Sequence, residues 1–431
     1  MPSKSSITKN KNIASSMAAT MAKRKGQQCR VYKVKIDESR LSAKQKEQLK
    51  MLFVEAKWLY NDCLNWLDEN KGKYVSDYII SKQITKLDKD GNREQVELDY
   101  LGSQMRQSVI ADLQRIQRNI KVLAKLKQNG YKVGKLNYRK EYKSVNLKQY
   151  GTTYKILSHN KMRIQNVHGK LTVNGLDQFI NIYGIEYANA NILNTPLGYY
   201  IAITTYIDKD KIQNKPKIKS RIGIDFGCTT SFTLSNGEEI DCTIQESDRL
   251  KRLQKKMFRQ VKGSKGREKT ISLIRKEYAK LSNQKDDLAN KIVAYLSSFD
   301  EVIFQDEQLQ HWKVKNGKTV QHSVLGRVKA KLQTKQNCHM INRWFPTTKL
   351  CTNCGAYNDN LKLSDRKFVC PKCGITDGRD IHAAKNMIWI YDNIVVGLGR
   401  TDLKRVEMEP LVRQICLSSQ VLPVKPEDTT L

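Results

Sequence analysis

The chain has 431 residues, enough for two to four domains with cores of their own. Its 77 lysines and arginines stand against 43 acids, a formal charge of +34. A compact molecule with that excess repels itself unless a polyanion neutralises it, so nucleic acid is the leading partner, with a ribosome-bound or membrane-surface role as the plainer alternative. No run of eighteen apolar residues occurs, which argues against a membrane span. Four of the ten cysteines fall in close pairs and six are scattered, the usage of a metal-binding protein in a reducing cytoplasm rather than of a disulfide framework.

In chain order, residues 1–28 read as a disordered basic arm, because their one apolar patch, near Ala14–Met21, is short and interrupted by Ser and Thr. Cys29–Ile36 alternates apolar and basic residues and is expected to be a half-buried strand. Ser42–Leu67 is expected to be helical, with Leu49, Leu52, Phe53, Ala56, Leu59, Tyr60 and Cys63 on one stripe. Tyr74–Leu98 is mixed and polar, with a turn signal at Asp88-Lys89-Asp90-Gly91-Asn92. A second helix is expected from Ser103 to Leu126, with Arg106, Arg115, Arg118 and Lys121 among its apolar positions; that basic face either meets a nucleic-acid backbone or is simply solvated. Residues 128–150 interleave basic residues with tyrosines, a composition suited to backbone neutralisation and base stacking.

Short β-type runs then follow at Met162–Val167, Lys170–Val173, Phe179–Ile185 and Gly198–Tyr206, expected to form a small barrel or sheet with the first strand. A lysine-rich linker leads to Arg221–Asn236, read as a buried strand, a tight turn and a second strand. Residues 245–298 read as helix broken at Gly263–Gly266, Asp300–Gln305 as strand, Ser323–Lys335 as helix, and Met340-Ile341 as a short strand. The chain after Asn393 reads as largely irregular.

Two constellations carry chemistry. Cys351, Cys354, Cys370 and Cys373 have the paired two-residue spacing of a closed structural zinc site, with iron as the alternative, and Gly355 and Gly374 relieve the backbone at each knuckle. Asp225 ends one strand, Glu307 follows another, and Asp380 begins a helix. Taken singly, these are a turn residue, a solvated strand end and a helix N-cap. Taken together, they are the convergent carboxylates that two magnesium ions need for in-line attack on a phosphodiester. Alternation from Ile303 puts Gln305 and Glu307 on one face and Asp306 opposite, and Asp377 is a near competitor for Asp380.

The order Ile222-Gly223-Ile224-Asp225-Phe226-Gly227, then Gln305-Asp306-Glu307-Gln308-Leu309, then the four cysteines, then Arg379-Asp380-Ile381-His382-Ala383-Ala384-Lys385-Asn386 resembles the split RuvC nuclease domain of the TnpB family of transposon-encoded RNA-guided nucleases and of the compact type V CRISPR effectors. Arg343-Trp344-Phe345-Pro346-Thr347-Thr348-Lys349 resembles the segment leading into the ribbon in those proteins, and residues 397–408 look more like the TnpB branch. The motifs cover roughly 220–410; over 29–206 the likeness is architectural.

The resemblance implies an α/β protein with β-barrel and helical parts: an RNase H-like RuvC domain with an inserted zinc ribbon, preceded by a wedge-type β-barrel carrying a helical recognition insert. The boundaries expected are 29–40 and 140–206 for the barrel, 41–139 for the insert, 207–219 for a linker, 220–344 for the nuclease domain, 345–376 for the ribbon, 377–396 for the last nuclease helix, and 397–431 for a tail. It also implies guide RNA and double-stranded DNA as partners, two Mg2+ at Asp225, Glu307 and Asp380, and structural Zn2+ at the cysteines. A guide held by its backbone would account for the charge, with Arg106, Arg115, Arg118, Lys132 and Arg139 as candidate grips. A guide-independent DNA-binding or transposition protein, or a basic zinc-ribbon protein of a ribonucleoprotein, are the competing readings. The family usually has Asn where His382 stands.

Overall fold

The computed structural model describes residues 4–87, 92–127, 130, 134–212, 218–227, 231–362, 364–401, 410–411 and 414–415. The chain divides into two compact units, residues 1–213 and 214–431. Residues 88–91 of the first turn signal, Lys132, residues 213–217 of the linker and most of the tail lie outside the described residues. Among the described residues, no helix is long and apolar enough to cross a membrane.

The first unit runs α1 (Lys4–Lys25), β1 (Gln27–Ile36), α2 (Ala43–Glu69), β2 (Gln83–Leu87), β3 (Arg93–Glu97), α3 (Ser103–Lys127), β4 (Ser144–Leu147), β5 (Tyr154–Ser158), β6 (Lys161–Ile164), β7 (Leu171–Asn174), α4 (Asp177–Ile180), β8 (Glu186–Thr195) and β9 (Gly198–Asp208). Seven strands form one antiparallel sheet in the order β4-β8-β9-β1-β7-β6-β5. Its two edge strands are consecutive in the chain, joined by residues 148–153, which nearly closes the sheet into a barrel.

Ser42 starts α2 with a reciprocal cap: its hydroxyl accepts from the Gln45 N–H, and the Gln45 side chain accepts from the Ser42 N–H. The stripes of α2 (Leu49, Leu52, Leu59) and α3 (Met105, Val109, Leu113) are buried in one core with the barrel interior (Ile36, Leu147, Ile201, Ile203). Glu55, also buried, accepts the backbone N–H groups of Asp99, Tyr100 and Leu101, which fixes the approach to α3.

Three expectations change here. Residues 4–25 of the supposed disordered arm are a helix; the segment contains no Gly or Pro and is rich in Ala, Met and Lys, all good helix formers. Phe179–Ile185 is not a strand: α4 buries Phe179 against Tyr32, the chain turns at Gly184 with φ +75°, and the strand begins at Glu186. A short apolar run cannot by periodicity alone separate a helical turn from a strand. The helical insert also carries a hairpin, β2–β3.

The second unit runs β10 (Ile218–Gly227), β11 (Ser231–Leu234), β12 (Glu239–Ile240), α5 (Asp248–Arg259), α6 (Lys265–Leu296), β13 (Phe299–Gln305), α7 (Leu309–His322), α8 (Leu325–Leu332), β14 (Cys338–Ile341), β15 (Lys367–Val369), β16 (Thr376–Gly378) and α9 (Arg379–Ile390), continued by a π-helical segment Tyr391–Val396. That segment replaces part of the irregular tail. Helix α7, kinked at Asn316, has no counterpart among the expected elements; it is polar and lacks a continuous apolar stripe.

The five-stranded sheet has the order β12-β11-β10-β13-β14. The first three strands form an antiparallel meander, and β13 and β14 are added parallel to β10. Apolar layers cover both faces. Val302 and Phe304 pack with Leu296 of α6 and Val328 of α8, while Ile303 packs with Met387 and Ile390 of α9. Helix α9 lies so close to β10 that a Cβ on Gly223 would stand 1.9 Å from the carbonyl oxygen of Ala384. Only glycine fits under the helix there.

Candidate functional site

The four cysteines come together. Each knuckle folds back in the same way: the Gly355 N–H donates to Cys351 O at 2.8 Å and the Gly374 N–H to Cys370 O at 3.1 Å. Both glycines have positive φ (69° and 71°), as the knuckle turns demand. All four sulfurs lie within 4.8 Å of one another, with Cys351–Cys373 at 3.6 Å and Cys354–Cys370 at 3.5 Å. Four thiolates held at about 2.3 Å around one Zn2+ would sit about 3.8 Å apart in a tetrahedron, so the set fits the ion with no vertex left for water. Burial pushes the Cys351 and Cys354 thiols up, whereas the Ile375 N–H draws Cys373 down to about 6.

The three carboxylates line one cleft of about 780 Å³. Asp225 is near the C-terminal end of β10, paired with Thr233 of β11, and β10 runs parallel to β13 with Ile224 opposite Phe304. Glu307 follows β13 by two residues. Asp380 lies in the first turn of α9, whose cap position is Gly378, so it is not the helix cap; its Oδ1 accepts from the Arg379 guanidinium at 2.9 Å. Ends of parallel strands are where side chains from separate elements converge in such sheets.

Burial, followed by the negative charges of Asp380 and Glu307, pushes Asp225 up to about 7. Burial also raises Glu307. Among the described residues only the cysteines draw three or more ligand atoms within 4.8 Å. Arg343, Lys349, Lys362, Arg366 and Arg379 line the same cleft, so cations and carboxylates share its lining. Sequence reasoning passed over these five as site residues, although Arg343 and Lys349 bound the segment singled out before the first cysteine.

The competing acids are otherwise engaged. Asp306 is bonded through both oxygens, to Lys329 and Arg343, each at 2.6 Å, and these cations hold its carboxyl below the usual range. Asp377, on β16, accepts Lys385 Nζ at 2.6 Å and the Gly378 N–H at 2.9 Å. His382 points away from the carboxylates. Its ring stacks on Phe368 of β15 (3.8 Å, 11°), and its Nε2 lies 2.7 Å from the Leu350 carbonyl oxygen. Burial lowers its pKa, so a neutral ring donates from Nε2 to Leu350. Asn386 then directs its two amide hydrogens to the carbonyls of Thr347 and Leu350, each at 2.7 Å.

The candidate grips differ among themselves. Arg106 donates to Leu101 O at 3.0 Å, and Arg139 is layered over the rings of Tyr60 (4.2 Å) and Tyr142 (4.8 Å), so both are tied into the first unit. Arg115 and Arg118 are exposed on α3, Arg115 beside Asp112 at 3.1 Å. Lys132 is outside the described residues.

Comparison with known proteins places two segments. Residues 325–387 match the family described as Cas12f1-like, TNB domain, and residues 204–301 match the family described as Probable transposase. A Streptomyces pristinaespiralis protein named "Putative RNA-guided DNA endonuclease" is 29% identical over 191 residues, covering 42% of this chain and 47% of that one, so the chain spans about half the length of that curated relative. Among solved structures, CasPhi-2 (Cas12j) bound to crRNA and phosphorothioate-DNA is 12% identical, with TM-score 0.32 over 57% of this chain and 58% of that chain. The mini-RNA-guided endonuclease CRISPR-Cas phi3 is 10% identical, with TM-score 0.41 over 85% and 92%. The chain is TnpB-like.

Proposed function

We propose that this TnpB-like chain is an RNA-guided endonuclease that hydrolyses phosphodiester bonds of double-stranded DNA beside a short flanking motif, in the cytoplasm of a prokaryotic cell. The observation that carries the reading is the shared cleft of Asp225, Glu307 and Asp380, delivered by β10, by the residues just after β13 and by the first turn of α9. In this reading the mixed sheet of the second unit belongs to an RNase H-like RuvC domain, here taken as 220–344 with its last helix at 377–396. In this reading the ribbon is 345–376 and holds Zn2+ through Cys351, Cys354, Cys370 and Cys373. In the first unit, 29–40 and 140–206 form the wedge barrel and 41–139 the recognition insert.

The carboxylates supply the hard oxygen ligands that Mg2+ takes, and the burial and neighbouring negative charge that lift Asp225 are what divalent cations would offset. Magnesium, when bound, supplies an activated water and charge stabilisation on the leaving oxygen. The chain's own contribution is placement: Asp225 and Glu307 are fixed by parallel strands and Asp380 by α9, while Arg343, Lys349 and Arg366 neutralise the strand entering the cleft. The relative's name and the charge of +34 support a guide RNA and DNA as partners.

Purified protein with its copurifying RNA should cut matching double-stranded DNA in Mg2+, and Asp225→Ala should keep DNA binding and lose cutting; retained cutting would overturn the site. The match to the family described as Probable transposase favours a second reading, a guide-independent DNA-binding or transposition protein. Absence of copurifying RNA, with DNA binding intact, would select it.

A further inference from the structure

Asp306, adjacent in sequence to Glu307, is locked in an ion-paired cluster. Lys329 of α8 donates to Asp306 Oδ1 and also to the backbone oxygen of Glu307, both at 2.6 Å. Arg343 takes Asp306 Oδ2 at 2.6 Å. The Lys329 side chain is only 15% exposed. The backbone around it is tied at further points: the Asp306 N–H donates to Ile341 O at 3.0 Å, and the Glu307 N–H turns back to Gln305 O at 2.9 Å. The Gln305 side chain in turn holds the carbonyls of Asn342, Arg343 and Phe345, which fixes the segment that delivers Arg343. By contrast, the Glu307 carboxylate has no hydrogen bond among the described residues and lines the cleft.

We infer that Lys329 and Asp306 are positioning residues for Glu307. This rests on the reading of Glu307 as a metal ligand. The cluster has two effects. Lys329 grips the Glu307 carbonyl, so the side chain leaves the end of β13 from a fixed point. Together with Arg343 it also offsets the charge of Asp306, the carboxylate next to Glu307 in the chain. An exposed ion pair would contribute little, but one that is mostly sheltered and made by a doubly bonded ammonium holds geometry, and metal ligands tolerate errors of only about half an ångström.

The test is Mn2+ binding to the full chain with its RNA, read by electron paramagnetic resonance, alongside the Mg2+ dependence of cleavage. Lys329→Met keeps the side-chain stem and removes the ammonium. It should raise the Mn2+ dissociation constant, and the Mg2+ needed for half-maximal cutting, by about tenfold or more, the usual consequence of losing a group that orients a ligand. Target-DNA binding in EDTA should stay within about twofold, an expectation drawn from a site remote from bulk charge neutralisation. Asp306→Asn keeps the shape of the cluster and serves if Lys329→Met fails to fold; it should raise the Mn2+ constant at least about threefold. Wild-type Mn2+ affinity in a folded variant of either kind overturns the inference. Glu307→Gln separates the two levels. If it abolishes cutting while Lys329→Met binds Mn2+ normally, only the inference fails; if it changes neither, the assignment of Glu307 fails first.

Discussion

The cysteine cluster and the carboxylate cleft are built in opposite ways. The cysteines come from two turns of identical design, each closed by its own backbone hydrogen bonds and its own positive-φ glycine, and their sulfurs already lie at ligand distance. The carboxylates come from β10, the end of β13 and α9, and burial, followed by the charges of Asp380 and Glu307, pushes Asp225 far from its ordinary value. The first arrangement gains stability from a cation and has no room for a substrate. The second is strained without cations and opens on a cleft. In the proposed function a metal would hold the fold at one site, whereas at the other the fold would hold the metal.

The largest expected effect tests the first half of that contrast. Cys351→Ser should release zinc and unfold the ribbon, because structural zinc contributes on the order of 10 kcal/mol to such a site. Metal analysis and hydrogen exchange at Phe368 and Cys370 would read it; preserved exchange protection would break the contrast. Next is the strain at Asp225. Its folded pKa, about 7, lies above the ordinary 3.8. The associated stability is therefore complete below about pH 4 and lost as pH rises through about 7. In EDTA at pH 8, Asp225→Asn should be more stable than wild type by on the order of 2–4 kcal/mol, and saturating Mg2+ should erase the gain. Melting curves across pH would check this, and an equal loss of stability in the variant would count against it.

A smaller effect is expected at Gly223→Ala, where the new methyl meets the Ala384 backbone at 1.9 Å. Overpacking of this kind costs about 1–3 kcal/mol. An ångström of displacement in α9 should slow cleavage by about a hundredfold through Asp380. Denaturation and single-turnover cutting would separate the two. Last is His382→Asn, which introduces the residue usual at this place in the TnpB family. It loses the stack on Phe368 and should cost about 1 kcal/mol. Cleavage should stay nearly unchanged, since the ring faces Leu350 rather than the cleft; a large loss in single-turnover assays would place His382 among the catalytic groups.

What was legible followed from locality. The cysteines and their glycines sit within a few residues of each other in each knuckle, so spacing alone pointed to their coming together. Asp225 and Glu307 were visible because an apolar run precedes each. The position of Asp380 was visible, but not its freedom from capping, since Gly378 takes that place. Lys329 carries no local signal: it is one lysine among many on a short helix, and its meaning comes only from Asp306 and Glu307 folding over it. The same limit hid the turn at Phe179 and the hairpin β2–β3, where tertiary contacts choose among conformations that the residue pattern leaves equivalent.

The passage from β16 at Gly378 into α9 at Arg379 leaves no residue between them. On a ribosome this sets an order of events. Asp225 and Glu307 leave first, but the third carboxylate follows only after the whole ribbon has been made. At about 5–20 residues per second, the chain spends several seconds after Glu307 without its last ligand. If the proposed function holds, a half-made molecule would meet nucleic acid through its charge well before it has the carboxylates to cut it.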